Sequence, residues 1–291
     1  MNSFTPKGNY INGKFISTND RIGSLVSKSP ADLSDSFGMF PYDFKSVDEA
    51  VDAARTAFGS WRRTKFEERA ALLLKYKETL KKKEERLADV IAREVGKPLW
   101  EAKQEVAAMI NKVDVTLADG MKLVASQEVP AILENTFGLF EHRPHGVFAV
   151  LGPFNFPGHL ANGHIVPALA TGNTVIFKPS EKSPAVGQIM AESFHEAGFP
   201  AGVFNLVQGE REVGRRLAVN ENVDGVLFTG SYEVGLKIKQ DTIQQYWKLL
   251  ALEMGGKNSA IVAEDANLDW AVYETLTGAF MTAGQRCSST S

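Results

Sequence analysis

Five short apolar runs in the second half of the chain limit its fold more than any other feature. They are GVFAVLGP at 146–153, NTVIFKPS at 173–180, GVFNLVQG at 202–209, DGVLFTGS at 224–231 and NSAIVAED at 258–265. Each is rich in Val, Ile or Phe and bounded by Gly, Pro, Asn or Asp. Segments with helical spacing near 158–171, 184–197, 211–220 and 232–245 lie between them. Strands that are apolar throughout, rather than alternately, are buried on both faces. Alternation with helices therefore predicts βα units and a parallel sheet covered on both sides, an α/β fold. Ligands bind such sheets outside the carboxyl ends of the strands. Here those ends read GPFNFP, KPSE, VQGERE, FTGS and AEDAN, mostly polar or glycine-rich.

The first half reads differently. Residues 9–44 are short strands and turns, with a hairpin signal at Asn12-Gly13. Ser46 starts a helix with acids in its first turn. Residues 66–94 continue in helical spacing through the charge run KKKEER, a solvated face. GKP at 96–98 breaks the pattern, and 99–120 resumes it, with Trp100, Val106, Met109, Ile110 and Val113 on one stripe that reads as core. Residues 122–143 read as two strands and a turn.

Composition narrows the partners. A net charge of -3 and a pI near 6.0 offer no basic field for nucleic acid or an anionic membrane surface. No run approaches the roughly 20 apolar residues of a membrane span. The start, MNSFTPKGNYINGKF, lacks the apolar core of a signal peptide, so a soluble cytoplasmic protein is expected. A single cysteine excludes an intramolecular disulfide and a cysteine-based zinc cluster, and no metal site is expected.

Five places could carry chemistry, each with a plainer alternative. At FTGSYEVG, a strand ending at Phe228 leads through Gly230 to Ser231, which can cap the next helix; the segment is a structural turn or a phosphate site. At KPSE, Lys178 and Glu181 follow a buried strand; they are a local ion pair or donor and acceptor for ribose hydroxyls. Asn155, between two prolines, is a turn residue or a fixed amide donor for an oxyanion. Glu253, before Gly255-Gly256, is a solvated acid or, if partly buried, a general base. Cys287 is an inert thiol or, if activated by its surroundings, a nucleophile.

Taken in order, PFNFP, FKPSE, FTGS, LEMGGKN and GQRC resemble the aldehyde dehydrogenase superfamily, from about Tyr10 to the last residue. The resemblance implies a Rossmann-like dinucleotide-binding domain and NAD- or NADP-dependent oxidation of an aldehyde. Cys287 would attack the carbonyl, Asn155 and the Cys287 N–H would hold the oxyanion, and Glu253 would activate water. Lys178 and Glu181 would bind the adenosine ribose. Gly209, Phe228, Gly230, Ser231 and Gly235 would lie along the cofactor. Glu181 favours NAD, since a carboxylate repels a 2′-phosphate. A narrower resemblance, carried by GHLANGHIVPAL and LVQGEREVG, is to bacterial succinylglutamate-semialdehyde dehydrogenases of arginine catabolism. Phe154 and Lys257 depart from that pattern and bear on the substrate.

The resemblance also implies an order of parts. Residues 1–121 and 144–255 would form the dinucleotide-binding domain, 122–143 an oligomerisation hairpin, and 256–291 the opening of a catalytic domain. Family members continue beyond the cysteine, so the chain is expected to be an N-terminal portion of a homo-oligomeric parent. The helix around Trp270–Phe280 is then expected to expose its apolar face. For the 291 residues by themselves, nucleotide binding without dehydrogenase activity is expected, the lost catalytic walls and subunit contacts being the reason; a cofactor-free thiol esterase is the third reading.

Overall fold

The computed structural model describes residues 4–18, 22–130 and 133–291. It opens with a hairpin of β1 (Asn9–Ile11) and β2 (Lys14–Ile16). Asn12 and Gly13 turn it with φ of 49° and 80°, the left-handed pair that a tight two-residue turn demands. β3 (Gly23–Lys28) and β4 (Ser36–Tyr42) form a separate antiparallel pair. Four helices follow: α1 (Lys45–Trp61), α2 (Phe66–Lys82), α3 (Glu84–Val95) and α4 (Leu99–Val115). A π turn at Thr116–Gly120 extends α4.

β5 (Gln127–Val129) and β6 (Gly138–Phe140) pair antiparallel and stand largely exposed. The βα series then runs β7 (Val147–Leu151), α5 (His159–Ala170), β8 (Thr174–Lys178), α6 (Pro184–Ala197) and β9 (Phe204–Leu206). It continues with α7 (Arg211–Val219), β10 (Gly225–Gly230), α8 (Tyr232–Thr242) and β11 (Leu249–Met254). α9 (Leu268–Phe280) and a 3₁₀ turn at Met281–Gly284 precede the end.

Seven strands make one mixed sheet in the order β11-β10-β7-β8-β9-β1-β2. β7 to β11 are mutually parallel, and the β1–β2 hairpin adds antiparallel to β9. β7 and β8 are buried at every residue, as their unbroken apolar runs require. α1, α7 and α8 cover one face; α5 and α6 cover the other, backed by α2, α3 and α4. Tyr76 of α2 stacks on Phe194 of α6, which stacks in turn on Phe204 of β9, at 3.9 and 4.1 Å between ring centres.

Four of the expected five strands are present. The fifth is not: residues 258–265 are irregular, with Ile261 93% exposed. Leu249–Met254 takes the place instead, because the open side of β10 accepts it in register from Gly225↔Leu249 to Gly230↔Met254. Smaller differences have local causes. α1 begins at Lys45 rather than at Ser46, and the Asp43 carboxylate receives the Ser46 N–H at 2.7 Å. The 66–94 segment divides at Lys83. Trp100 leaves the core stripe and is 55% exposed, while Val106, Met109 and Val113 are buried. α9 has no buried residue, as expected of an exposed apolar face. Among the described residues, no helix is long and apolar enough to cross a membrane.

Candidate active site

β7, β8 and β10 end at one cavity of about 630 Å³. The chain runs from β7 to β8 and β9 on one side, then returns to place β10 on the other side of β7. The cavity therefore sits where the strand order reverses, the position at which open α/β sheets leave a crevice. Its size falls within the range of small-molecule sites.

β8 delivers Lys178 to the cavity wall. Its side chain is nearly buried, with Nζ 3.6 Å from Glu181 Oε2. Burial holds the ammonium below the usual lysine range, and the Glu181 carboxylate opposes that pull. β10 delivers Phe228 and Gly230, and Ser231 follows directly at the start of α8. The Ser231 hydroxyl caps α8 by accepting the Val234 N–H at 3.4 Å. Gly209 and Gly235 do not border the cavity. Gly209 has a φ of 150° and approaches Val213 so closely that a Cβ would lie 2.4 Å from it. At Gly235 a Cβ would meet the Met254 sulfur at 2.6 Å, so this position packs α8 on β11.

Asn155 and Cys287 come together from opposite ends of the second half. Asn155 follows β7, and its Nδ2 donates to the Gln285 carbonyl at 2.8 Å. Both Asn155 and the 284–287 segment line the cavity. Cys287 is exposed at its mouth, with its carbonyl accepting from Asn258 Nδ2 at 2.7 Å. Glu253 lies elsewhere. It is exposed rather than partly buried, and strand alternation turns it away from Met254, which faces α8. It neighbours His164 of α5, whose imidazole burial holds below its usual range while the Glu253 charge pulls the other way.

Arg211, in the strand end VQGERE, lines the cavity as well. Gly214 and Arg215, from the first turns of α7, and Lys237, from the second turn of α8, lie beyond the strand ends and escape a reading of those ends. Their signal is position: they sit in the first two turns of helices that follow a strand end. Among the described residues, no group of three or more His, Cys, Asp or Glu is placed to hold a metal ion.

Fold and crevice together define an α/β protein of the kind that takes a nucleotide-sized ligand at the reversal of its parallel sheet. Residues 21–291 match the model of the Aldehyde dehydrogenase family, and the chain belongs to that family. It is 50% identical over 242 residues to the N-succinylglutamate 5-semialdehyde dehydrogenase of Salmonella typhimurium, a match that covers 83% of this chain and 49% of that protein. The structure is similar to the NAD+ complex of an aldehyde dehydrogenase from Bacillus cereus, with a TM-score of 0.92 and 32% identity over 98% of this chain and 58% of that one. An NADP dependent enzyme of E. coli gives a TM-score of 0.92 and 31% identity over 98% and 59%. The chain thus spans about half the length of the curated relatives it matches.

Proposed function

We propose that this site belongs to an NAD-dependent dehydrogenase that oxidises an aldehyde to a carboxylic acid. The observation that carries the reading is the Asn155–Gln285 hydrogen bond, which holds an amide donor beside the cysteine segment at the mouth of the cavity. In this reading the Cys287 thiolate attacks the carbonyl carbon to form a thiohemiacetal. The Asn155 Nδ2–H₂ and the Cys287 N–H stabilise the oxyanion. A bound nicotinamide would supply the hydride acceptor, and Cys287 would then carry the acyl group as a thioester. Glu253, after swinging toward the thioester, takes a proton from water, and hydrolysis frees the acid and the thiol.

The wall fits a dinucleotide. Lys178 donates and Glu181 accepts, which suits the two hydroxyls of a ribose, and the free N–H groups of the first turn of α8 suit a pyrophosphate. Glu181 favours NAD over NADP by repelling a 2′-phosphate. The similarity to succinylglutamate-semialdehyde dehydrogenases supports a semialdehyde of amino-acid catabolism as substrate. In the same reading, residues 1–121 and 144–255 bind the cofactor, 122–143 mediate homo-oligomerisation and 256–291 open the catalytic domain.

The test is NADH formation with succinylglutamate semialdehyde. It is expected in the wild type, abolished in Cys287→Ala and reduced about 10²- to 10³-fold in Asn155→Ala. A second reading, nucleotide binding without turnover, draws on the exposed placement of Glu253 away from the cavity. Saturable NAD binding with no NADH from any semialdehyde would decide for it.

A further inference from the structure

We propose that Glu101 is a positioning residue that sets the backbone of the Cys287 segment and, with Glu105 one turn further along α4, spaces that segment from Asn155. The inference rests on the reading that Asn155 and Cys287 act together. Its geometry stands without turnover.

Two acids project from the same side of α4, four residues and one helical turn apart, and both are almost fully buried, at 4% and 2% exposure. Buried carboxylates persist only when charged or polar partners satisfy them. Here the partners belong to the two halves of the site. Glu105 pairs with Lys97 at 2.6 Å, and its other oxygen receives the N–H groups of Gly158 and His159 at 2.9 and 3.0 Å. That fixes the start of α5, three residues after Asn155. Glu101 receives the Thr282 N–H on both oxygens, at 2.7 and 2.9 Å. That fixes the backbone five residues before Cys287.

The Thr282 contact is made where the chain resists its own conformation. Thr282 and Ala283 have φ of 60° and 52°, followed by Gly284 at 70°. Left-handed backbone is disfavoured for residues with a Cβ, above all for a β-branched one, and persists where surrounding contacts over-determine it. Glu101 supplies such a contact. Arg286 adds a second: its Nε donates to Thr282 Oγ1 at 2.8 Å, and it lies 3.8 Å from Glu101. The two halves then close on one ring. Lys97 Nζ lies 4.0 Å from the centre of Phe156 and Arg286 Cζ 5.4 Å from it, so the residue after Asn155 is held by one cation from each branch. One rigid turn of α4 therefore acts as the ruler between amide and thiol.

Cys287 is the chain's only cysteine, so a trifluoromethyl ketone label reports on this segment alone. The experiment records the fluorine spectrum of the labelled full chain and, separately, its NAD binding. The wild type is expected to give one narrow line. Glu101→Ala is expected to lose it in favour of two or more lines, or one broadened by exchange. Glu101→Gln keeps an oxygen for the Thr282 N–H and is expected to restore the single line, which a general loss of stability would not do. NAD affinity is expected to stay within about twofold in both, since Glu101 does not border the cavity. A folded Glu101→Ala with the wild-type spectrum overturns the proposal. Should that variant not fold, Glu101→Asp carries the test: it draws the carboxylate back by one methylene, and an unchanged single line there is equally fatal. Absence of NADH formation would count against the proposed function and leave this spectrum informative.

Discussion

The body that ends at Met254 and the segment from Gly256 to Ser291 are built on different principles. In the body, β7 and β8 are buried at every residue and aromatic rings stack between helix and strand. In the final segment Thr282 alone is buried. α9 turns Trp270, Tyr273, Leu276 and Phe280 to solvent, and what fastens the segment is polar: Thr282 to Glu101, Gln285 to Asn155 and to the Val95 carbonyl. Hydrophobic burial is non-directional and sums over area, whereas hydrogen bonds add little net energy but fix geometry. The body supplies stability; the segment that carries the thiol is placed by direction.

The sharpest way to break this contrast is a pair of truncations. Phe177→Ala in β8 removes a fully buried ring and is expected to cost about 3–5 kcal/mol of unfolding free energy in urea. Leu276→Ala in α9, 53% exposed, is expected to stay within about 0.5 kcal/mol. Comparable losses at the two sites would erase the distinction.

A smaller effect comes from a charge inside the body. Glu94 is fully buried, accepts from the Ser27 hydroxyl at 2.5 Å, and receives the Ala185 and Val186 N–H groups at the start of α6. Burial outweighs these donors and raises its pKa from 4.5 to about 7. The folded state thus holds the proton more tightly than the unfolded chain. The resulting stabilisation is complete below about pH 4.5, falls as pH rises, and is gone by about pH 7, a span worth roughly 3 kcal/mol. Glu94→Gln is expected to flatten that part of the urea-midpoint profile; an unchanged slope would show that the carboxyl group is not what titrates.

The smallest effect separates two helix caps. Ser231 caps α8 and Asn267 caps α9, each through a side-chain oxygen. Ser231→Ala is expected to lower global stability by about 1 kcal/mol. Asn267→Ala is expected to leave the unfolding midpoint in place and to speed amide exchange in α9 alone. A shared midpoint shift would mean that the two regions unfold as one.

Legibility in the sequence follows the same division. Strands buried on both faces announce themselves through their apolar runs, as β7, β8, β9 and β10 do. The fifth is ambiguous because two runs, 249–252 and 258–265, look alike; only the position of the open side of β10 decides which one pairs. Asn155 and Cys287 stand out by type and neighbourhood, and the fold brings their segments together across 130 residues. Glu101 and Glu105 are hidden in the sequence because acids at a spacing of four read as a solvated face. The missed signal was their adjacency to Ala102, Val106 and Met109, which places them beside the buried stripe rather than opposite it.

The two flanks of the large sheet are unequal. β2 offers three residues to a newcomer, one of them Lys14; β11 offers six, bonded on one side to β10 and open on the other. Ribbon-like growth requires every molecule to recruit at both flanks, and short, charged flanks recruit poorly. Of the two flanks, β11 is therefore the better site for an added strand and β2 the poorer.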